Sequence, residues 1–381
     1  MYKDLLNKVR QYQKGRHDFM YGVEGLSVYS KINIGKGMYI LIGGQSGSGK
    51  TSFSDTAFIL NPFMSLPDNP PLWLYRSMER DKESKLAKWT CNVIYRKYGV
   101  LLDVPTLLSL PSKKRNLSSR DFKLLEEIEA TMDTLDSRVI MVDGTPSAED
   151  IRKWELKIAY QKGKLVTADD KYFYVNGKKE GDLNEIDATN GMERRYYVGK
   201  AGIIYEQGET YIADDPKEIV MPMFDHIGKI LDGDGNQNTK KAVDSHSSNQ
   251  AWARDVLKWT PIDISQFNRD SQSTQRNMRL DLDIQEKDFK NSATPYENSD
   301  LVLGLINPWK LGHSRYQKIN VKRMVASGGE NRLRLLKIVK NSYGSDDIKL
   351  PLVFLGENGH IMDFPEEPGD YDYEQVIDIN I

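Results

Sequence analysis

The chain has 381 residues, with 53 Lys and Arg against 55 Asp and Glu and a formal net charge of −2. This length suffices for one large α/β domain or two ordinary ones, while the near-balance of charge excludes a polycation and confines any nucleic-acid surface to a local patch. A single cysteine, Cys91, excludes an intrachain disulfide, and five scattered histidines offer no zinc-type spacing. No apolar run approaches the roughly 20 residues of a membrane span, and residues at the start of the chain do not form a signal-peptide core. The expectation is a soluble, cytoplasmic protein without membrane contact.

Residues 1–14 carry Tyr2, Leu5, Leu6, Val9 and Tyr12 at helical spacing, with Lys and Arg on the other face. The pattern predicts an amphipathic helix, packed either on its own domain or on a neighbouring subunit, with residues 1–30 as helix and linker. Residues 38–42 are apolar with β-branched members and read as a buried strand. Behind them, Gly44, Gln45, Ser46, Gly47, Ser48, Gly49, Lys50 and Thr51 fit the spacing G-x-x-x-x-G-K-[ST] at every constrained position. Residues 51–60 read as a helix stopped at Asn61-Pro62. Strand, glycine loop and helix form a phosphate cradle: glycines turn successive N–H groups inward and the helix N-terminus adds its positive end. Lys50 then reaches the β- and γ-phosphates of a bound nucleotide, and the Thr51 hydroxyl ligates Mg²⁺.

Residues 71–75 form the next buried strand, with Glu79 just past its carboxyl end, where open α/β sheets place their ligands. On position alone, Glu79 is equally an acidic residue stabilising the first turn of the following helix. Leu86, Trp89, Val93 and Ile94 give that helix a core-facing stripe through residue 98. Residues 100–137 are mostly helical in pattern around a loop at 111–115, 139–142 are a third strand, and Ser147 opens a helix to about residue 160. Between 163 and 215, short alternating runs separated by Asn176-Gly177 and single glycines predict an inserted β-hairpin module. Its interleaved Tyr, Lys and Arg read as the face of a small sheet, with stacking on nucleic-acid bases as the alternative. Residues 219–224 are a strand ending in Asp225, the position of a Mg²⁺-holding carboxylate, although Pro222 is unusual in a central strand. A loop at 232–244 carries Lys240 and Lys241, and a helix follows at about 247–259. Next come a strand ending at Gln266 and a polar loop with Arg269, Arg276 and Arg279. Strands at 301–306, 318–324, 333–339 and 350–355 complete the sheet, and the acidic tail from Glu366 reads as loosely held.

Five separated motifs in this order resemble the ATPase domain of DnaB-type replicative helicases, RecA-like motors of phages and bacteria that act on single-stranded DNA. They are the P-loop, Tyr75-Arg76-Ser77-Met78-Glu79, Phe224-Asp225-His226, Ile264-Ser265-Gln266-Phe267-Asn268-Arg269, and the stretch from Asp288-Phe289-Lys290-Asn291-Ser292 to Asp300. The resemblance runs from about residue 19 to 355. It implies a RecA-like α/β P-loop fold over residues 31–381, with a mostly parallel sheet flanked by helices. Glu79 becomes the catalytic base, Asp225 the Mg²⁺ ligand and Gln266 the sensor of the γ-phosphate. Homo-oligomers, ring or filament, with ATP at subunit boundaries are implied too, as are replication partners and contacts of Lys240, Lys241, Arg269, Arg276 and Arg279 with single-stranded DNA. Two departures stand out. Where the family has a complete N-terminal helical domain, the chain shows a short helix. Where the family reaches into the neighbour's ATP with K-x-R-N-G, the chain has Lys340-Asn341-Ser342-Tyr343-Gly344. Lys340 keeps the lysine, but Ser342 replaces the arginine finger, so Lys340, Arg334 or Lys337 must substitute or hydrolysis is slow. The competing expectations are a RecA-like ATPase that does not unwind, such as a recombinase-like filament or a loader, and a nucleotide-gated structural or adaptor subunit.

Overall fold

The computed structural model describes residues 20–365 except 21, 80, 170–171, 183, 187–193, 199–203, 207–208, 238, 269–281, 290–292 and 326–328. The expected N-terminal helix, the acidic tail and Arg269, Arg276 and Arg279 therefore lie outside the described residues.

Six parallel strands form the centre: β1 (Ile40–Gly44), β2 (Leu72–Ser77), β3 (Val139–Asp143), β11 (Val220–Asp225), β12 (Ile262–Gln266) and β13 (Leu301–Ile306). Their order is β13-β1-β12-β11-β2-β3. The five inner strands are buried on both faces and read in the sequence as continuous apolar runs rather than as alternation, whereas β3 at the edge is partly exposed. One face of β1 and β2, carrying Ile40, Ile42, Trp73 and Tyr75, packs on the P-loop helix and on helices Lys82–Tyr98 and Ser119–Ser137. On the opposite face, Leu72, Leu74 and Val220 meet Ile158 and Ala159 of helix Ala148–Lys162 and Leu257 behind helix Lys240–Trp252. This two-sided burial fixes the strand register, and with it the end of the sheet at which the loops gather.

Between β3 and β11 the chain departs from the parallel pattern. An antiparallel sheet is formed by β4 (Gly163–Ala168), β5 (Tyr172–Val175), β6 (Lys178–Asp182) and β10 (Glu209–Ala213), and a second by β7 (Asn184–Ile186), β8 (Arg194–Val198) and β9 (Ile204–Glu206). Asn176 and Gly177 both take positive φ, 50° and 76°, in the two-residue turn joining β5 to β6. That is the conformation for which the Asn-Gly pair is suited. After β13, a two-strand ribbon of β14 (Arg315–Tyr316) and β15 (Ile319–Asn320) precedes three antiparallel strands, β16 (Leu333–Asn341), β17 (Ile348–Leu355) and β18 (His360–Asp363). These last three extend the central sheet beyond β13 to nine strands.

Three details differ from the sequence reading. Helix formation does not stop at Asn61-Pro62: the P-loop helix runs as α-helix over Lys50–Asp55, as π-helix over Thr56–Leu60 and as α-helix again over Asn61–Ser65. Pro62 sits in the first turn of the resumed helix, where a missing N–H costs least. Residues 318–324 do not form a strand of the main sheet, because the chain folds into β15 and a 3-10 turn at Val321–Met324. Lys240 and Lys241 stand not on a loop but in the first turn of helix Lys240–Trp252, capped by the Thr239 side chain. Pro222 does lie in β11, and its position explains the tolerance. Leu72 N–H donates to Ile219 O and Thr260 N–H donates to Val220 O, so odd residues face β2 and Pro222 faces β12. The β11–β12 ladder begins one residue later, at Met223 opposite Ile262, so the absent donor falls at its start.

Candidate nucleotide site

The glycine loop leaves the carboxyl end of β1 and enters its helix at Lys50. Gly47 and Gly49 adopt φ of 68° and 92°, the left-handed region open to glycine. At Gly44 the need is space: a Cβ there would lie 2.6 Å from Leu305 O and 2.7 Å from Ser48 Oγ. Inside the loop, Lys50 Nζ donates to Gln45 O at 2.9 Å. Burial pushes the Lys50 ammonium down to about 8, opposed by the Asp225 and Glu79 carboxylates and reinforced by the Lys310 charge. The antiparallel extension braces the loop from outside. Arg334 of β16 donates from Nε to Ser48 O at 2.8 Å, and its guanidinium carbon stands 4.6 Å from the centroid of the Phe354 ring of β17.

Asp225, at the tip of β11, accepts from the Thr51 hydroxyl at 3.1 Å and from the Tyr75 hydroxyl at 3.2 Å. Behind it lies a buried charge network. Lys85 Nζ is 3.0 Å from Asp55 Oδ2 and 3.4 Å from Asp225 Oδ2, and it also bonds the Tyr75 hydroxyl. Burial and the two carboxylates hold the Tyr75 phenol well above its ordinary range, so it stays a donor. On the adjacent strand, Glu79 follows β2 and pairs with His226 Nε2 at 3.2 Å. His226 Nδ1 accepts from the Gly228 N–H at 3.1 Å, which leaves the Nε2 proton to be donated to Glu79. That hydrogen bond is the main reason the Glu79 carboxyl is held below the usual glutamate range.

Lys50, Thr51, Glu79, Asp225, His226 and Gln266 line one cavity of about 320 Å³ at the carboxyl ends of the parallel strands. The volume falls within the range of small-molecule sites. The residues also fit a magnesium-triphosphate complex, since a hydroxyl and a carboxylate converge as hard oxygen donors beside a lysine and a loop of backbone N–H groups. Gln266 connects this cavity to the chain beyond it. Phe267 bridges to Phe289, and the two rings lie so close over β1 that a Cβ at Gly43 would run into both.

The remaining expected residues lie elsewhere. Lys340 pairs with Val302, which pairs with Leu41, so it sits three residues back along the sheet from Gly44 and outside the cavity. Its Nζ donates to Tyr296 O and Glu297 O at 3.1 and 3.0 Å. Arg334 is corrected as a finger candidate, because its guanidinium is fully buried against its own loop. Lys337 is corrected likewise: Asp283 at 2.5 Å and Asp347 at 2.8 Å hold it within the chain. Lys240 and Lys241 are exposed. Sequence reasoning assigned no role to His226, Lys85, Asp55 or Tyr75. The spacing of Lys85, Trp89 and Asn92, three buried positions of helix Lys82–Tyr98 at i, i+4 and i+7, is the signal that could have found Lys85 on the core face.

No protein-family model and no curated protein matches the chain. Solved structures do. The ATPase domain of one helicase superposes with a TM-score of 0.59 at 14% identity, covering 95% of this chain and 98% of the other. A DnaB-like replicative helicase, solved in a study of its interactions with primase, gives 0.58 at 14% identity over 94% of this chain and 68% of the other. At this identity the likeness speaks for the fold: the chain has the RecA-like α/β fold of a DnaB-type helicase ATPase domain.

Proposed function

We propose that this chain is an ATP hydrolase acting as a motor on single-stranded DNA, assembled as a homo-oligomeric ring or filament with ATP between subunits. The observation that carries the reading is the convergence of Lys50, Thr51, Glu79, Asp225 and Gln266 on one cavity. Lys50 and the N–H groups of residues 44–51 hold the phosphates, and Thr51 and Asp225 hold Mg²⁺. When bound, the metal neutralises charge on the transferring phosphoryl group. Glu79, kept ionised by His226, orients the attacking water and takes its proton, as a carboxylate held below its usual range is ready to do at neutral pH. Gln266 reports the terminal phosphate to the loop behind Phe267. Arg269, Arg276 and Arg279 on that loop, with Lys240 and Lys241, contact DNA phosphates. Lys340 serves a neighbouring subunit's site, and its place away from its own cavity supports that assignment. Residues 31–381 form the ATPase domain, the hairpin module is its insertion, and the protein works in the cytoplasm beside replication proteins. The likeness to a helicase that interacts with primase supports the last point. Among the described residues no helix is long and apolar enough to cross a membrane.

Phosphate release measured with and without an oligonucleotide, strand displacement from a forked duplex, and electron microscopy with ATP test the proposal together. DNA-stimulated release, displacement and rings or filaments are expected. Release without displacement replaces the helicase by a non-unwinding ATPase. One observation favours a nucleotide-gated adaptor as the second reading: Ser342, in the finger position, offers a neutral hydroxyl. Its signature is ATP-dependent assembly with no phosphate release at saturating DNA.

A further inference from the structure

The finger position is neutral, yet one cation stands over the P-loop with no role assigned to it. Lys310 lies on a 3-10 turn, Trp309–Leu311, that follows β13. The turn is anchored at both ends. Asn307 Oδ1 accepts from the Trp309 N–H at 3.2 Å, and Leu311 is buried with Phe267, Ile284 and Phe289. From this support the Lys310 side chain crosses the loop apex. Its Nζ donates to Ser46 O at 3.3 Å, and a Cβ added at Gly47 would collide with that same ammonium. Among the described residues no carboxylate pairs with it. Its charge also adds to the forces that depress Lys50.

Two ammonium groups that feel one another's charge beside a glycine loop favour an anion there. The direction of approach narrows which anion. Gln266, Asp225 and Glu79 enter from the β12, β11 and β2 side of β1, whereas Lys310 enters from the β13 side. Both flanks of the loop are thereby occupied, one by the groups that handle water and metal and the other by a positive charge. We propose that Lys310 is a phosphate-binding residue supplied within the same chain, which exchanges Ser46 O for the terminal phosphoryl group of a nucleoside triphosphate and stabilises the charge that the residue at 342 cannot. The assignment of catalysis, though not of binding, rests on the ATPase reading above. An arginine or lysine so placed acts without proton transfer, by electrostatic stabilisation where charge is borne.

The test uses the full chain and its Lys310→Ala and Lys310→Arg variants. Equilibrium titration with fluorescent ATPγS and ADP comes first. A lysine that touches the terminal group makes Lys310→Ala lose about tenfold or more in affinity for ATPγS relative to ADP, while Lys310→Arg retains the preference. A merely structural brace on the loop weakens both nucleotides alike, and that result, or no change in either, overturns the contact. Phosphate release at saturating Mg·ATP comes second. The expected fall in kcat for Lys310→Ala is about tenfold or more, and an unchanged kcat overturns the catalytic part. If the wild type releases no phosphate but discriminates ATPγS from ADP through Lys310, the binding assignment stands and the ATPase reading fails.

Discussion

Replacing Lys85 by methionine removes the cation that joins the Asp225 carboxylate to the core. Lys85, Asp55 and Asp225 are all nearly fully buried. At separations of 3.0 and 3.4 Å, each pair attracts by about 5 kcal/mol at an effective dielectric near 20. Much of that gross attraction is offset by the desolvation of three charges, so it does not measure the net worth of the cluster. Methionine preserves the volume and leaves the desolvation cost of both carboxylates in place, which is why breaking such a cluster costs about 3–5 kcal/mol. Denaturant unfolding of Lys85→Met should therefore show a loss of that size in the absence of nucleotide. Adding Asp55→Asn removes one stranded charge and should recover a large part of it. Mg·ATP should narrow the remaining gap, since a divalent cation beside Asp225 restores positive charge there. A Lys85→Met protein within about 1 kcal/mol of wild type, with no gain from the second substitution, would falsify the view that Lys85 compensates these carboxylates.

The other predictions concern the cavity and the strand beneath it. Glu79 has a depressed pKa, so its ionised form is favoured above the ordinary glutamate range and lost only as pH falls through the lower folded-state value. His226→Ala removes the main cause of that depression and should move the acid limb of the kcat/KM profile to higher pH, and a limb that stays put refutes the pairing. Burial holds Lys50 at about 8, and bound phosphate must raise it. Nucleotide binding should thus take up a proton near and above pH 8 and weaken as pH rises further, which calorimetry in buffers of different ionisation enthalpy reads directly. Gly43→Ala places a methyl group against the rings of Phe267 and Phe289. Overpacking of this kind costs about 1–3 kcal/mol, read as a fall in denaturation midpoint, and an unchanged midpoint shows that the rings do not rest on β1.

The residues written most plainly in the sequence are those whose chemistry needs neighbours along the chain. The glycines, Lys50 and Thr51 stand in one short run of the chain, so their spacing identifies them. Glu79, Asp225 and Gln266 follow buried strands, and a sheet of parallel strands brings such tips together. Groups that act from distant elements carried no comparable mark. Tyr75, Asp55 and Lys85 come from a strand and two helices, and their shared burial appears only once those elements pack. Arg334 reaches Ser48 across 286 positions of sequence, from an antiparallel strand whose order in the sheet no local pattern specifies. The π-helical passage at Thr56–Leu60 escaped for a related reason, since tertiary packing overrides the local meaning of a proline.

Sorting the cations around the cavity by what already neutralises them gives the absent arginine its physical meaning. Lys88, which lines the cavity, donates to Ser52 Oγ at 2.8 Å; Lys85 is committed to Asp55 and Asp225, and Arg334 to the Ser48 carbonyl and to Glu330 at 3.2 Å. Neither can move toward a phosphate without stranding a buried partner. Lys340 is tied to two backbone carbonyls at the far end of β16, so any service it gives is to another subunit. Lys310 differs, because its hydrogen bond to Ser46 is long and its ammonium is exposed at the mouth of the loop. A serine at 342 therefore does not leave the site without a second positive charge. If Lys310 takes the role proposed for it, that charge comes from the chain's own loop, and phosphoryl transfer would depend less on subunit contact than it does where an arginine comes from a neighbour.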